Sequence, residues 1–455
     1  MTATVREEQK EIARIALLTP YTGGNLGDAA IQDAMISNLR IRLPAVRFSG
    51  ISLNCENFLE RHGVDAFPLC ATRVPFYQMG YGSITNDPPR KNNHTGNHHP
   101  WMGTLNRVPG LLPLLRELRQ WALIIPKELI HCVRGYRFLR QHDLLIASGG
   151  GQLDEEWGGP WGHPFALCKW ALLARIARVP YAFVSVGTGK IKSPACRLFL
   201  SLALRLASYR SYRDENSKRI AATLLKAVVN DPVVSDLAFS LPALRLPADA
   251  GIRSLSKDQM VIAISPIAYA KPKNWPCADQ AVYARYLQQL SKAVLQLVDR
   301  GYYLVIVWSS LGDDESVIPQ IFEQFDDASR KKMDGQVYVP KINCWKDLAA
   351  ILQEVDLLVA SRLHSAIFGF LARKPTISIS FDPKVDWLMQ DIGQTDNLLQ
   401  IRDFTANDVL DTIDRIQSNR LDTVDRIKTC QERMQPGLKS QYDDLVRLAG
   451  LRRGR

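Results

Sequence analysis

A short apolar run, a break, and then a stretch of helical periodicity recur along this chain, and that repeat restricts the fold more than anything else in the sequence. Its clearest example lies between residues 356 and 384. Residues 356–360 (DLLVA) form the continuous apolar run that parallel sheets bury on both faces. Ser361-Arg362-Leu363-His364 interrupts it. From Ser365 onward, Ile367, Phe368, Phe370 and Leu371 recur at helical spacing until Lys374-Pro375 stops the helix. Thr376–Ser380 alternates apolar and small polar residues as the next strand, and Phe381-Asp382-Pro383-Lys384 leaves it in a turn. The same rhythm predicts strands at Val261–Ser265, 303–308 and 337–340, with helices over 279–298, 314–325 and Trp345–Glu354. Strands alternating with helices mean a parallel, doubly wound sheet.

Ligands of such sheets gather at the carboxyl ends of the strands, beside helix N-termini that favour anions. Arg362 and His364 stand at such an edge two residues apart, so in extended backbone they point the same way. Lys384 leaves the same edge of the following strand. Two cations and a histidine would then converge on one anion-favouring crevice. The plainer alternative is an arginine satisfying carbonyls and a histidine capping a helix.

The first half of the chain carries the same pattern with longer interruptions. A strand over 12–18 precedes Gly23-Gly24-Asn25-Leu26-Gly27-Asp28, a tight turn into an amphipathic helix striped by Ile31, Met35 and Leu39. Asn25 and Asp28 either cap that helix or bond a sugar hydroxyl. The glycine spacing matches neither the dinucleotide nor the P-loop pattern. A strand over 143–147 runs into Ser148-Gly149-Gly150-Gly151, and then Asp154, Glu155, Glu156, Trp157, Trp161 and His163. Carboxylates beside indole faces suit a carbohydrate, whose hydroxyls bond the acids while its apolar face stacks; a surface loop with buried tryptophans is the other reading. A helix over 167–177, the strand Tyr181–Val186, a helix over 198–206 and a strand over 207–213 follow. Arg213 ends that last strand, where it either adds a third cation or pairs with Asp214 or Glu215.

At 455 residues and 46% hydrophobic composition, the chain is expected to form two domains. These are a first Rossmann-like lobe over 1–240 on the acceptor side, a linker over 241–256, a second lobe over 257–430 on the donor side, and a C-terminal helix with a basic tail over 431–455. An insertion over about 80–142 interrupts the first lobe. It contains His94, His98 and His99 in a polar stretch that reads as a metal site or as a loop. Its later part, about 110–140, mixes leucines, Trp121, Tyr136 and several arginines. Such a segment either lies on an anionic membrane surface or packs on its own domain. The formal net charge of +11 suggests an acidic partner. Nucleic acid is not expected, because no recognition motif or long basic block is present. Eight scattered cysteines read as reduced thiols of a cytoplasmic protein, and the charged start does not resemble a secretory signal.

The chain resembles the polysaccharide pyruvyl transferases. The resemblance rests on Gly24-Asn25-Leu26-Gly27-Asp28, Gly149-Gly150-Gly151, Arg213-Asp214 with Ser217, and Asp236-Leu237-Ala238-Phe239. It continues through Ser361-Arg362-Leu363-His364-Ser365-Ala366-Ile367 to Asp382-Pro383-Lys384-Val385. The insertion over about 80–142 has no counterpart in it. The resemblance implies two Rossmann-like doubly wound lobes facing across a cleft, as in GT-B glycosyltransferases. It also implies transfer of the enolpyruvyl carbons of phosphoenolpyruvate onto two sugar hydroxyls as a ketal. Carried over, Arg213, Arg362 and Lys384 bind the donor, Leu363 contributes its backbone, and His364 acts as acid and base. The acceptor side would use Asn25, Asp28, Gly150, Gly151, Asp154, Trp157 and Trp161. The implied partners are phosphoenolpyruvate and a glycan acceptor, lipid-linked or not, at the inner face of the plasma membrane. Neither cofactor nor metal is expected.

Overall fold

The computed structural model describes residues 13–20, 23–71, 111–156, 158–242, 250–256, 258–272, 275 and 278–450, with 111–123 described as helical backbone only. His94, His98 and His99 of the insertion, Trp157, residues 243–249 of the linker and the terminal arginines lie outside the described residues.

Two parallel six-stranded sheets form the frame. The first contains β1 (Arg14–Leu18), β2 (Arg47–Ser52), β3 (Ala66–Pro68), β4 (Leu144–Ser148), β5 (Tyr181–Val186) and β6 (Tyr209–Tyr212), in the order β3-β2-β1-β4-β5-β6. The second contains β7 (Val261–Ser265), β8 (Tyr303–Ile306), β9 (Val337–Tyr338), β10 (Leu357–Ala360), β11 (Thr376–Ser380) and β12 (Leu398–Gln400), in the order β12-β11-β10-β7-β8-β9. Each order reverses direction once, between β1 and β4 and between β7 and β10. At these switch points the adjoining helices leave on opposite faces and open a crevice at the strand carboxyl ends. The central strands are buried throughout because helices cover both faces of each sheet.

Three strands, β2, β3 and β12, are absent from the sequence expectation. β3 and β12 are edge strands of 3 residues each, and β2, beside the edge, reads Arg-Phe-Ser-Gly-Ile-Ser, so in all of them the apolar signal is weak. Two further differences concern the site. Arg362 and His364 do not alternate along a strand: Arg362 is the extended N-cap (φ −117°, ψ 141°) of the helix Leu363–Leu371, and His364 already lies in its first turn. Lys384 likewise occupies the first turn of a helix, Pro383–Asp391, capped by the Asp382 carboxylate on the Lys384 N–H at 2.9 Å. The cations are thus aimed by two helix starts rather than by strand pleat.

The lobes are joined by more than the linker. The Leu26 N–H donates to the Ser309 carbonyl and the Leu311 N–H to the Gly24 carbonyl, both at 2.9 Å, so the glycine turn after β1 forms a one-residue bridge to the other lobe. Trp345 Nε1 donates to Asp33 Oδ2 at 2.7 Å across the same boundary. The helix Arg420–Gly450 runs without a break through residue 430. It bonds the second lobe through Gln431 to the Phe370 carbonyl, then reaches the first through Gln441 to Ser185 and through Tyr442 to Ser240.

Candidate functional site

Between the two switch points lies a cavity of about 180 Å³. The first lobe contributes Asn25, Asp28, Gly149–Gly151, Asp154 and Arg213 to its wall; the second contributes Arg362, Leu363, His364 and Lys384. Residues scattered from 25 to 384 therefore meet in one place.

Asn25 is first a structural residue. Its Oδ1 accepts from the Gly27 N–H at 2.9 Å and the Asp28 N–H at 3.4 Å, capping the helix Leu26–Arg42. This orients that helix N-terminus, and Asp28 in its first turn, toward the cavity. Gly27 lets the lobes close. A Cβ there would sit 1.9 Å from His364 Cγ and 2.2 Å from Nδ1, so the imidazole lies directly on the helix backbone. Gly149 and Gly150 have φ of 54° and 69°, which glycine adopts without cost, and they turn the chain after β4 along the cavity wall.

Arg213 is buried at the end of β6. Its Nη1 donates to Asp236 at 3.3 Å and its Nε lies 3.7 Å from Asp214. Its Nη2 is sealed from solvent without a hydrogen-bond partner, as is His364 Nε2. Arg213 is thus salt-bridged, and it also lines the cavity. A buried donor without a partner costs roughly 1–3 kcal/mol, a cost that structures commonly retain where a ligand completes the bond.

Arg362 is held from behind. Asp314, fully buried, takes Nε and Nη2 in a bidentate pair, both at 2.8 Å, and also accepts from the Ala268 N–H at 3.2 Å. Such a fork fixes the plane of the guanidinium. Lys384 Nζ reaches back across the cleft to within 3.6 Å of Asp154 Oδ2. Leu363 opens its helix, so its N–H is among those with no partner inside the helix.

The electrostatics follow from burial and these neighbours. Burial, helped by Arg213 and Arg362, pushes the His364 imidazole below its ordinary value, against the opposing pull of Asp236 and Asp28. Burial raises Asp28, with His364 and the two arginines opposing. Asp154 is raised by burial, with Lys384 opposing. The neutral form of the imidazole is thus favoured, beside Arg213, Arg362 and Lys384, each of which is paired with a carboxylate.

Not every residue singled out in the sequence is here. Trp161 lies off the cavity, 42% exposed, with its ring 5.7 Å from Phe165 and 5.2 Å from Phe199. Trp157 lies outside the described residues. The aromatic surfaces that do border the cavity are Trp275 and Phe381, which pack edge to face at 5.5 Å. Sequence reasoning missed Asp314, since nothing local ties it to an arginine 48 positions on. It also missed the buried chain in which Ser148 Oγ donates to Gln32 Oε1 and His163 Nε2 meets Gln152 Oε1, both at 2.7 Å. Among the described residues no group of three His, Cys, Asp or Glu side chains is arranged to hold a metal ion.

Fold and cavity together define a two-lobed scaffold of the GT-B type. Solved structures agree on that architecture. The UDP-GlcNAc 2-epimerase of Neisseria meningitidis superposes with a TM-score of 0.54 at 8% identity, over 96% of this chain and 99% of its own. A glycosyltransferase from Rickettsia africae gives 0.52 at 11% identity over 96% and 98%. Staphylococcus aureus MnaA, solved with UDP, gives 0.51 at 9% identity over 91% and 90%. No curated protein matches in sequence. The family model for polysaccharide pyruvyl transferase matches residues 25–383, and the chain belongs to that family.

Proposed function

We propose that this protein moves the enolpyruvyl carbons of phosphoenolpyruvate onto two hydroxyls of a glycan sugar as a ketal, releasing phosphate. The setting would be the assembly of a surface polysaccharide on the cytoplasmic side of the membrane. The observation that carries this reading is the convergence of Arg213 from one lobe with Arg362, His364 and Lys384 from the other on a single cavity.

A small donor bearing both a carboxylate and a phosphate calls for several cations, and arginine grips either group bidentately. In the proposed scheme Arg213 and Arg362 hold the two anionic ends and Lys384 supplements them. His364 takes up a proton as the anionic donor binds and raises its pKa, then gives it to the methylene carbon. The C2–C3 double bond is consumed, C2 becomes electrophilic, and a sugar hydroxyl bonds to it. The C2–O bond to phosphate then breaks, and the second hydroxyl closes the ketal. Two hydroxyl protons are released; one replaces the proton spent on the methyl group and the other leaves with phosphate. Asp28 and Asp154 are assigned to the acceptor hydroxyls, on the opposite wall from Arg362.

The test is incubation with phosphoenolpyruvate and a panel of lipid-linked and nucleotide sugars, read by mass spectrometry and phosphate release. A pyruvylated sugar formed with one phosphate per transfer is expected, and its loss in His364→Ala and Arg362→Ala. Near-full turnover in either variant would remove the proposed site. A second reading, a nucleotide-sugar glycosyltransferase, draws on the likeness to proteins described with UDP or UDP-GlcNAc. Saturable nucleotide-sugar binding with none for phosphoenolpyruvate would favour it.

A further inference from the structure

Outside the cavity lining, the first lobe carries a surface that the proposed reaction does not use. The helix Leu111–Leu139 has one side fixed to the lobe. Glu128 turns inward to Lys169 and accepts from the Ala71 N–H at 2.9 Å, and His131 Nε2 meets the Pro68 carbonyl at 2.8 Å. Gly135 lies against Trp170. The opposite side is apolar and open: Ile125 is 50% exposed, Leu129 62%, Ile130 55% and Val133 54%. At 100° per residue these four span less than half the helix circumference, so they form one stripe rather than isolated exposures.

The rim of that stripe is basic. Lys127 and Arg134 flank it on one side, Arg137 lies among its last turns, and no carboxylate among the described residues pairs with these three. Over residues 111–140 the sequence has six Lys and Arg against two Asp and Glu, and one of those two is the inward Glu128. A soluble partner or a second copy of this chain would have to bring its own acidic rim to match. A bilayer with anionic headgroups offers an apolar layer under a negative one, the same order in which this helix presents its stripe and its cations. No helix among the described residues is long and apolar enough to cross a membrane, so any contact through this helix is made in the plane of the surface.

The helix is also placed for it. Glu128 and His131 are level with the residues that follow β3, at the carboxyl rim shared by the cavity. The turns from Leu111 to Lys127 therefore continue past that rim by about 25 Å. We infer that Ile125, Leu129, Ile130 and Val133, with Lys127, Arg134 and Arg137, form an interfacial face that seats the first lobe on an anionic bilayer. This inference stands apart from the pyruvyl chemistry, and either can fail without the other.

The experiment is co-sedimentation of the full chain with vesicles of phosphatidylcholine alone or with phosphatidylglycerol added, alongside sedimentation velocity without lipid. The chain is expected to pellet with anionic vesicles, weakly with neutral ones, and less as salt rises. Leu129→Glu with Val133→Glu should abolish pelleting while leaving Tm unchanged, since both side chains are exposed. Reversing Arg134 and Arg137 to Glu should weaken binding by more than about tenfold, each surface cation being worth about fivefold. Pelleting unchanged by Leu129→Glu/Val133→Glu overturns the inference, as does equal binding to both vesicle types or to neither. A dimer in solution that the same substitutions break would overturn it too, by assigning the face to a second copy.

Discussion

Gly27→Ala tests the interlobe contact at its tightest point. A Cβ on residue 27 would stand 1.9 Å from His364 Cγ, 2.2 Å from Nδ1 and 2.4 Å from Cδ2. Ordinary carbon contacts begin near 3.5 Å, so relief requires roughly 1.5 Å of movement by the imidazole or by the lobes. The backbone bridge of Leu26 to Ser309 and of Leu311 to Gly24 resists lobe separation, leaving the ring as the part that yields. A 1 Å misplacement of a catalytic group costs on the order of a hundredfold, so kcat/KM for phosphate release should fall by about that factor. The helix itself should not suffer, because alanine is the better helix residue by up to about 1 kcal/mol. The assay pairs turnover with thermal unfolding for Gly27→Ala, His364→Ala and the double variant. With the ring removed the three atoms it would strike are gone, so Gly27→Ala should cost much less Tm in the His364→Ala background. Near-wild-type turnover in Gly27→Ala, or an equal loss of Tm in both backgrounds, would refute the contact.

Three further outcomes follow from the same geometry. Asp314→Asn should keep the fold's volume but release the bidentate grip on Arg362, raising KM for phosphoenolpyruvate more than it lowers kcat; unchanged KM would show that Arg362 needs no support. Because burial depresses His364 and the scheme needs it protonated, the alkaline limb of kcat/KM should titrate below about 6.5, and that of kcat should move upward once the anionic donor is bound; identical limbs would contradict the proton role. His163, buried and pushed down to about 3, binds no proton while folded at mild acidity, whereas the unfolded chain does. Stability should therefore fall as pH drops through about 6.5 toward 3, by up to roughly 4 kcal/mol from this group, and His163→Gln should flatten that slope in denaturant titrations.

The repeating strand-and-helix rhythm was legible because central strands of parallel sheets are continuous apolar runs, as in β4, β7 and β10. Edge strands such as β3 and β12 were not, since half-exposed residues carry no such run. Arg362, His364 and Lys384 were found by their position after strands, although the helix starts that aim them were misread as extended chain and turn. Arg213 could be placed at a strand end, but its double role needed coordinates: only they reveal that Asp236 takes Nη1 while the residue also lines the cavity. Asp314 and the Gly27 contact were invisible because both depend on elements distant in sequence. The tryptophans near 160 drew attention as a sugar platform, yet Trp161 faces Phe165 and Phe199, and the aromatic pair at the cavity comes from the other lobe.

The account stands on an anionic donor held between lobes by cations drawn from both. Calorimetric titration with phosphoenolpyruvate alone tests it without knowledge of the acceptor. Saturable one-to-one binding is predicted, lost in Arg213→Ala from the first lobe and equally in Arg362→Ala from the second. Binding that survives both substitutions, or none in the wild-type protein, would contradict it.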